Sequence, residues 1–146
     1  MRLKNKKGFS LIELAIGVVL LGILVGSIAA GAGMTTKMKV QHESDTVNTL
    51  LVAARNYLSA SQTTYAGVTI AVLETAGYLS NNFNAATGNS WGAGYTVAPN
   101  AADNTKVDIT IAAVPSAAIG TSLTNNFSSQ ATCVYTAAAS TWTGTF

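Results

Sequence analysis

The sequence predicts an α+β protein, one long N-terminal α-helix followed by a small region with several strands. Three observations lead there. Leu14 to Thr36 runs 23 residues without a charge, and as a helix it would extend roughly 35 Å, enough to span a bilayer. Val40, Val47, Leu51, Ala54 and Leu58 then recur at spacings of seven, four, three and four, which trace one face of an α-helix. Further on, Val107, Ile109 and Ile111 alternate with Lys106, Asp108 and Thr110, the period of a half-buried strand. A chain of 146 residues leaves room for one modest domain beyond such a helix.

The first element is a short basic leader. Arg2, Lys4, Lys6 and Lys7 are four of the eight basic residues, and a basic stretch before an apolar run stays on the cytoplasmic side. Gly8 and Phe9 follow it, and Glu13 stands four residues after Phe9 with no further charge until Lys37. A carboxylate in a membrane span costs about 2.5–3.5 kcal/mol on insertion scales and reads as functional by default. An ordinary secretory signal has an apolar core of only about 7–15 residues before a small-residue cleavage site, shorter than this run. A plain membrane anchor fits the length, but it needs neither Glu13 nor the Lys-Gly-Phe junction.

Within the apolar run, Gly22, Gly26 and Ala30 repeat at four-residue spacing, placing small residues on one helix face where a neighbouring backbone can approach. Glycine is also common in membrane helices generally, so both readings stand. The helix is expected to continue past the membrane to about Ser59, apolar all round in its first half and amphipathic in its second, with Lys37, Lys39, Glu43, Asp45 and Arg55 mostly off the apolar face.

After Ser59 the composition turns to Ala, Thr, Ser, Asn and Gly with few charges. Ala71 to Thr75 reads as a short helical turn stopped by Gly77. Asn81 to Gly94 reads as a loop with turn signals at Thr87-Gly88-Asn89 and Gly92-Ala93-Gly94. Tyr95 to Ala98 and Lys106 to Ile111 read as strands joined by a polar turn at Asn100 to Asn104. Pro115 begins a short helix through Leu123, since proline favours a first helical position. Thr132 to Thr136 and Thr141 to Phe146 are two further strands, and Trp91 and Trp142 are read as core residues. There is no internal repeat.

Catalytic and metal chemistry find little support. His42 is the only histidine. Ser44 and Asp45, two and three residues away, do not make a relay with it on one helix, and no activated nucleophile is indicated. One His, one Cys and scattered carboxylates do not make a metal site. No cofactor is expected.

The stretch Lys6-Lys7-Gly8-Phe9-Ser10-Leu11-Ile12-Glu13-Leu14 resembles the type III signal of prepilins, with a basic leader, Gly before the cut, Phe after it and Glu at the fifth mature position. The resemblance implies a type IV pilin. Its implied fold is a long N-terminal helix packed on a small C-terminal antiparallel sheet. Its implied divisions are a cleaved leader at 1–8, a membrane and filament-core helix at 9–36, and a globular head at 37–146 that includes amphipathic helix 37–59. It further implies cleavage by a prepilin peptidase between Gly8 and Phe9, N-methylation of Phe9, and pairing of Glu13 with the Phe9 amine of an adjacent subunit. The implied partners are copies of the chain in a helical homopolymer, the peptidase and methylase, a pilus assembly platform, and the inner membrane before export to a surface filament.

The Asn89-Ser90-Trp91-Gly92-Ala93-Gly94-Tyr95 stretch looks like the Asn-x-Trp-Gly segment that enters the sheet in many pilins. Val114-Pro115-Ser116-Ala117-Ala118 is similar to the type IVb-like branch. Related sequences of that branch place a cysteine just after this run, where this chain has Ile119, and related pilins close the C-terminal region with a disulfide. The single Cys133 cannot form one within the chain. An odd cysteine in an exported protein suggests a buried thiol or an intermolecular bond, and Val134 and Tyr135 favour the buried thiol on a core strand. Many type IV pilins also carry a helix-breaking proline in the apolar run, whereas this chain has none before Pro99.

Removing residues 1–8 leaves four basic and six acidic side chains, a formal charge of −2 before the termini. The precursor's pI of about 8.8 is therefore no sign of nucleic-acid binding, and no nucleic-acid partner is expected. Two other readings share the leader. A type II secretion pseudopilin would generally need a C-terminal calcium site, and Asp103 and Asp108 are the only acids beyond Glu74. The other is a minor pilin serving as an adhesin or a DNA receptor; DNA binding through the head of a single subunit has little electrostatic support, since Lys106 is the only basic residue beyond Arg55.

Overall fold

The computed structural model describes the backbone of residues 11–61 and 63–146, and the side chains of 35–60 and 63–146. The element order is α1 (Leu11–Ser61), α2 (Ile70–Thr75), β1 (Tyr95–Pro99), β2 (Val107–Ile111), α3 (Ala117–Phe127), β3 (Thr132–Thr136) and β4 (Thr141–Thr145). The chain divides into two compact units, Met1–Met38 and Lys39–Phe146. Among the described residues no helix is long and apolar enough to cross a membrane. The expected span falls almost wholly on residues whose side chains lie outside that description.

The second unit is α+β, a helix on a four-stranded antiparallel sheet of order β1-β2-β4-β3. From Lys39 onward, α1 shows the expected periodic face: Val47, Leu50, Leu51, Ala53 and Ala54 are buried, and Val40 and Leu58 pack against the core from its rim. Val52, on the opposite side, is exposed. Glu43 departs from the expectation. It does not lie off the apolar face but is fully buried, with none of its surface exposed.

The short elements are set by local chemistry. The Thr69 hydroxyl caps α2 by accepting from the Val72 N–H at 3.2 Å. Gly77 ends it with φ +77°, a conformation that glycine adopts without a Cβ penalty, and the Tyr78 and Leu79 N–H groups fold back onto the Leu73 carbonyl. The turn after β1 is built on Asn100, whose Oδ1 accepts from the Ala102 and Asp103 N–H groups at 3.0 Å.

Helix α3 begins later and ends later than the proline predicted. Ser116 is extended and is the N-cap, accepting from the Ile119 N–H at 3.4 Å, so Pro115 lies before the cap rather than at the first helical position. The helix continues to Phe127 because Gly120, Leu123 and Phe127 form one buried stripe.

Strand register assigns the two sheet faces. Tyr95, Val97, Val107, Ile109, Ile111 and Trp142 are buried on one face, where each large apolar side chain contributes about 1.5–3 kcal/mol by leaving water. Leu123 and Phe127 of α3 join this core, with the Phe127 ring 5.5 Å from that of Trp142. Trp142 is therefore a core residue, while Trp91 packs against the core from a half-buried site. The opposite face is mostly threonine, and Thr110 and Thr143 hydrogen-bond across it at 2.9 Å.

Candidate functional site

The predicted processing and assembly residues fall at the edge of what the structure describes. Gly8 and Phe9 lie outside the described residues. Glu13, Gly22, Gly26 and Ala30 fall within α1, but their side chains lie outside the description.

Among the described residues of the second unit, Glu43 is the buried acid. One carboxylate oxygen accepts from the Ser90 N–H at 2.7 Å, and the other accepts from the Tyr95 hydroxyl at 2.6 Å. Burial, together with hydrogen bonding and repulsion from the adjacent Glu43 carboxylate, pushes the Tyr95 phenol above its usual range. Next to Glu43 on α1, the Ser44 hydroxyl donates to the Val40 carbonyl at 2.9 Å and accepts from Asn126 Nδ2 of α3 at 2.8 Å. These contacts clamp α1 to the start of β1 and to α3. They satisfy buried polar groups, which would otherwise destabilise the fold.

Asn89 organises the loop that leads into the sheet. Its Oδ1 accepts from the Trp91 and Ala93 N–H groups at 3.0 and 2.8 Å, and its Nδ2 donates to the Ala112 carbonyl at 2.6 Å. The side chain is buried. The Asn-Ser-Trp-Gly stretch therefore works as an entry clamp for β1, holding Ser90 where its N–H meets Glu43.

The sequence contained the signal for Glu43. It sits three residues after Val40 and four before Val47, on the apolar face. Its donors, from positions 90 and 95, carry no sequence mark that points to it.

Cys133 is a free, half-buried thiol on β3, and burial raises its pKa. The expectation of a core strand needs correction here. β3 is an edge strand, and Val134 is 57% exposed. Only the face carrying Cys133 and Tyr135 meets the core.

Catalytic and metal geometry do not assemble among the described residues. His42 is exposed, and no group of three or more His, Cys, Asp or Glu side chains is placed to hold a metal. The surface hollows are shallow, with volumes of about 300–360 Å³. One is lined by Val52, Ala53 and Tyr78, and another includes Lys106, whose ammonium is held by Asp103 at 3.7 Å.

Comparison with protein families matches residues 3–29 to the prokaryotic N-terminal methylation motif. The match contains Gly8, Phe9, Glu13, Gly22 and Gly26, and it gives the chain a prepilin-like leader of the type IV pilin and pseudopilin kind. No curated protein and no solved structure matches the chain.

Proposed function

We propose that this chain is a structural subunit of a type IV pilus, a major pilin of the type IVb-like branch. The observation that carries the reading is the methylation motif over residues 3–29. The helix-on-sheet architecture of the second unit supports it. In this reading a prepilin peptidase cuts between Gly8 and Phe9 and the new Phe9 amine is methylated. The precursor waits in the inner membrane, with the leader 1–8 in the cytoplasm, helix 9–36 in the bilayer and head 37–146 outside. An assembly platform then feeds it into a surface filament that serves adhesion, motility or aggregation.

The role of Glu13 follows from the price of an unpaired buried charge. Lys37, the next charge along the chain, is roughly 36 Å further along a helix. The methylated Phe9 amine is the one mature-chain cation within reach of that depth. A neighbour's amine against Glu13 compensates both charges and fixes the axial register, because a one-residue slip strands a charge in low dielectric. Gly22, Gly26 and Ala30 form the close-packing face between such helices.

The test is Glu13→Val. Cleavage after Gly8 and membrane insertion are expected to persist while filaments disappear or fall sharply. Co-expression with the native chain is expected to give mixed incorporation, since the variant still presents its own amine. Abundant normal-length filaments built from the variant alone would refute the pairing.

A further inference from the structure

The two edges of the sheet are finished differently. At β1, the Tyr95 N–H is taken by the Ala85 carbonyl at 2.8 Å, and Pro99 ends the strand without an N–H to offer. Both are ordinary ways of blunting an edge. At β3, the sequence Thr-Cys-Val-Tyr-Thr has no proline and no charge, and its register with β4 is continuous without a bulge.

The outward-facing backbone groups of β3 can be assigned. Val107 and Phe146 exchange both main-chain hydrogen bonds, each 3.0 Å. Alternation along β4 then turns Thr141, Thr143 and Thr145 toward β3. Their partners there are Thr136, Val134 and Thr132. Cys133 and Tyr135 therefore aim their N–H and C=O groups away from the sheet. Among the described residues, no backbone hydrogen bond reaches those groups.

We infer that β3 is a pairing edge for a second copy of this chain, joined antiparallel about a two-fold axis at Val134. The self-complementarity of the strand identifies the occupant. In this register Cys133 lies opposite the partner copy's Tyr135 and the reverse, so the outward groups of both strands form mutually bonded pairs. Val134 then meets its own twin in the close, non-hydrogen-bonded position. That contact covers the one exposed large apolar side chain of the strand, Val134, with an equal one. Thr132 faces Thr136, again without charge. Pairing of this symmetry closes at two copies and does not itself lengthen a polymer. It stands whether or not the filament reading holds, since it needs only the fold of the second unit.

The test uses the full chain purified in detergent, with Cys133→Ala as background. Val134→Cys is expected to cross-link to a dimer under mild oxidation, because opposed residues in the close position stand about 4.5 Å apart at Cα, within disulfide range. Val52→Cys, 56% exposed on α1, serves as the collision control and is expected to stay monomeric. In sedimentation, Val134→Lys is expected to weaken self-association about tenfold or more through like-charge opposition, and mixing it with Val134→Glu is expected to restore dimers. The inference is overturned if Val134→Cys gives no dimer or no more than Val52→Cys, or if Val134→Lys associates like the native chain.

Discussion

Glu13 and Glu43 lie on the same helix, α1; Glu13 stands in a run otherwise uncharged to Lys37, and Glu43 sits on the apolar spacing of Val40 and Val47. They differ in where their partners come from. Glu43 finds donors inside its own chain, the Ser90 N–H and the Tyr95 hydroxyl, so its burial holds the second unit together. Glu13 lies in a segment otherwise uncharged to Lys37, and in the proposed mature chain its nearby polar groups are Ser10 and the amine of Phe9, so the proposed answer to its charge is another subunit. A buried carboxylate demands donors wherever it sits. If the fold supplies them, the group stabilises the monomer. If they must come from outside, the same demand directs assembly.

Variants of the two acids should therefore fail in opposite ways. Glu43→Leu is expected to lose roughly 2–5 kcal/mol of stability, because the Ser90 N–H and Tyr95 hydroxyl are left buried without an acceptor. Chemical denaturation of the full chain in detergent measures this through the midpoint. Cleavage after Gly8 should be unaffected, whereas Glu13→Val should keep the head's stability and lose filaments. If Glu43→Leu were as stable as the native chain, the clamp between α1 and β1 would carry no weight.

Tyr95 supplies one of the two hydrogen bonds to Glu43. Tyr95→Phe keeps the ring and removes one donor to Glu43, with an expected loss of roughly 1–3 kcal/mol at neutral pH. The native phenol has a folded pKa raised above its ordinary value of 10.0, so the fold favours the protonated form. Its contribution is fully present below about pH 10 and declines as pH rises further, since the unfolded chain then releases the proton more readily. Stability measured against pH should fall on the alkaline side in the native chain and fall less in Tyr95→Phe. Equal alkaline slopes would show that the buried phenol is not the titrating group.

Much of the architecture was legible because it rests on periodicity. The apolar face of α1 and the alternation at Val107, Ile109 and Ile111 report burial directly, and the helix stop at Gly77 reports a backbone angle that glycine favours. What remained hidden depends on neighbours distant in sequence. Glu43 sits on the apolar spacing, yet only its meeting with residues 90 and 95 explains why an acid is tolerated there. Thr132 to Thr136 reads as a strand, but strand order decides that it is an edge, and that decides the exposure of Val134 and the half-burial of Cys133. The start of α3 turned on a competition between Pro115 and Ser116, won by the serine hydroxyl as cap. The leader was legible by motif alone, since Gly8, Phe9 and Glu13 stand at fixed spacing in the segment matched to the methylation motif.

Mass spectrometry of the N-terminal peptide of the exported chain reads whether this leader is processed to release a subunit for assembly. The expected result is a chain that begins at Phe9 with a methylated amine, and full-length precursor retained in the membrane for Gly8→Val. A mature chain that begins at Met1, or one cut near Gly33, would contradict it.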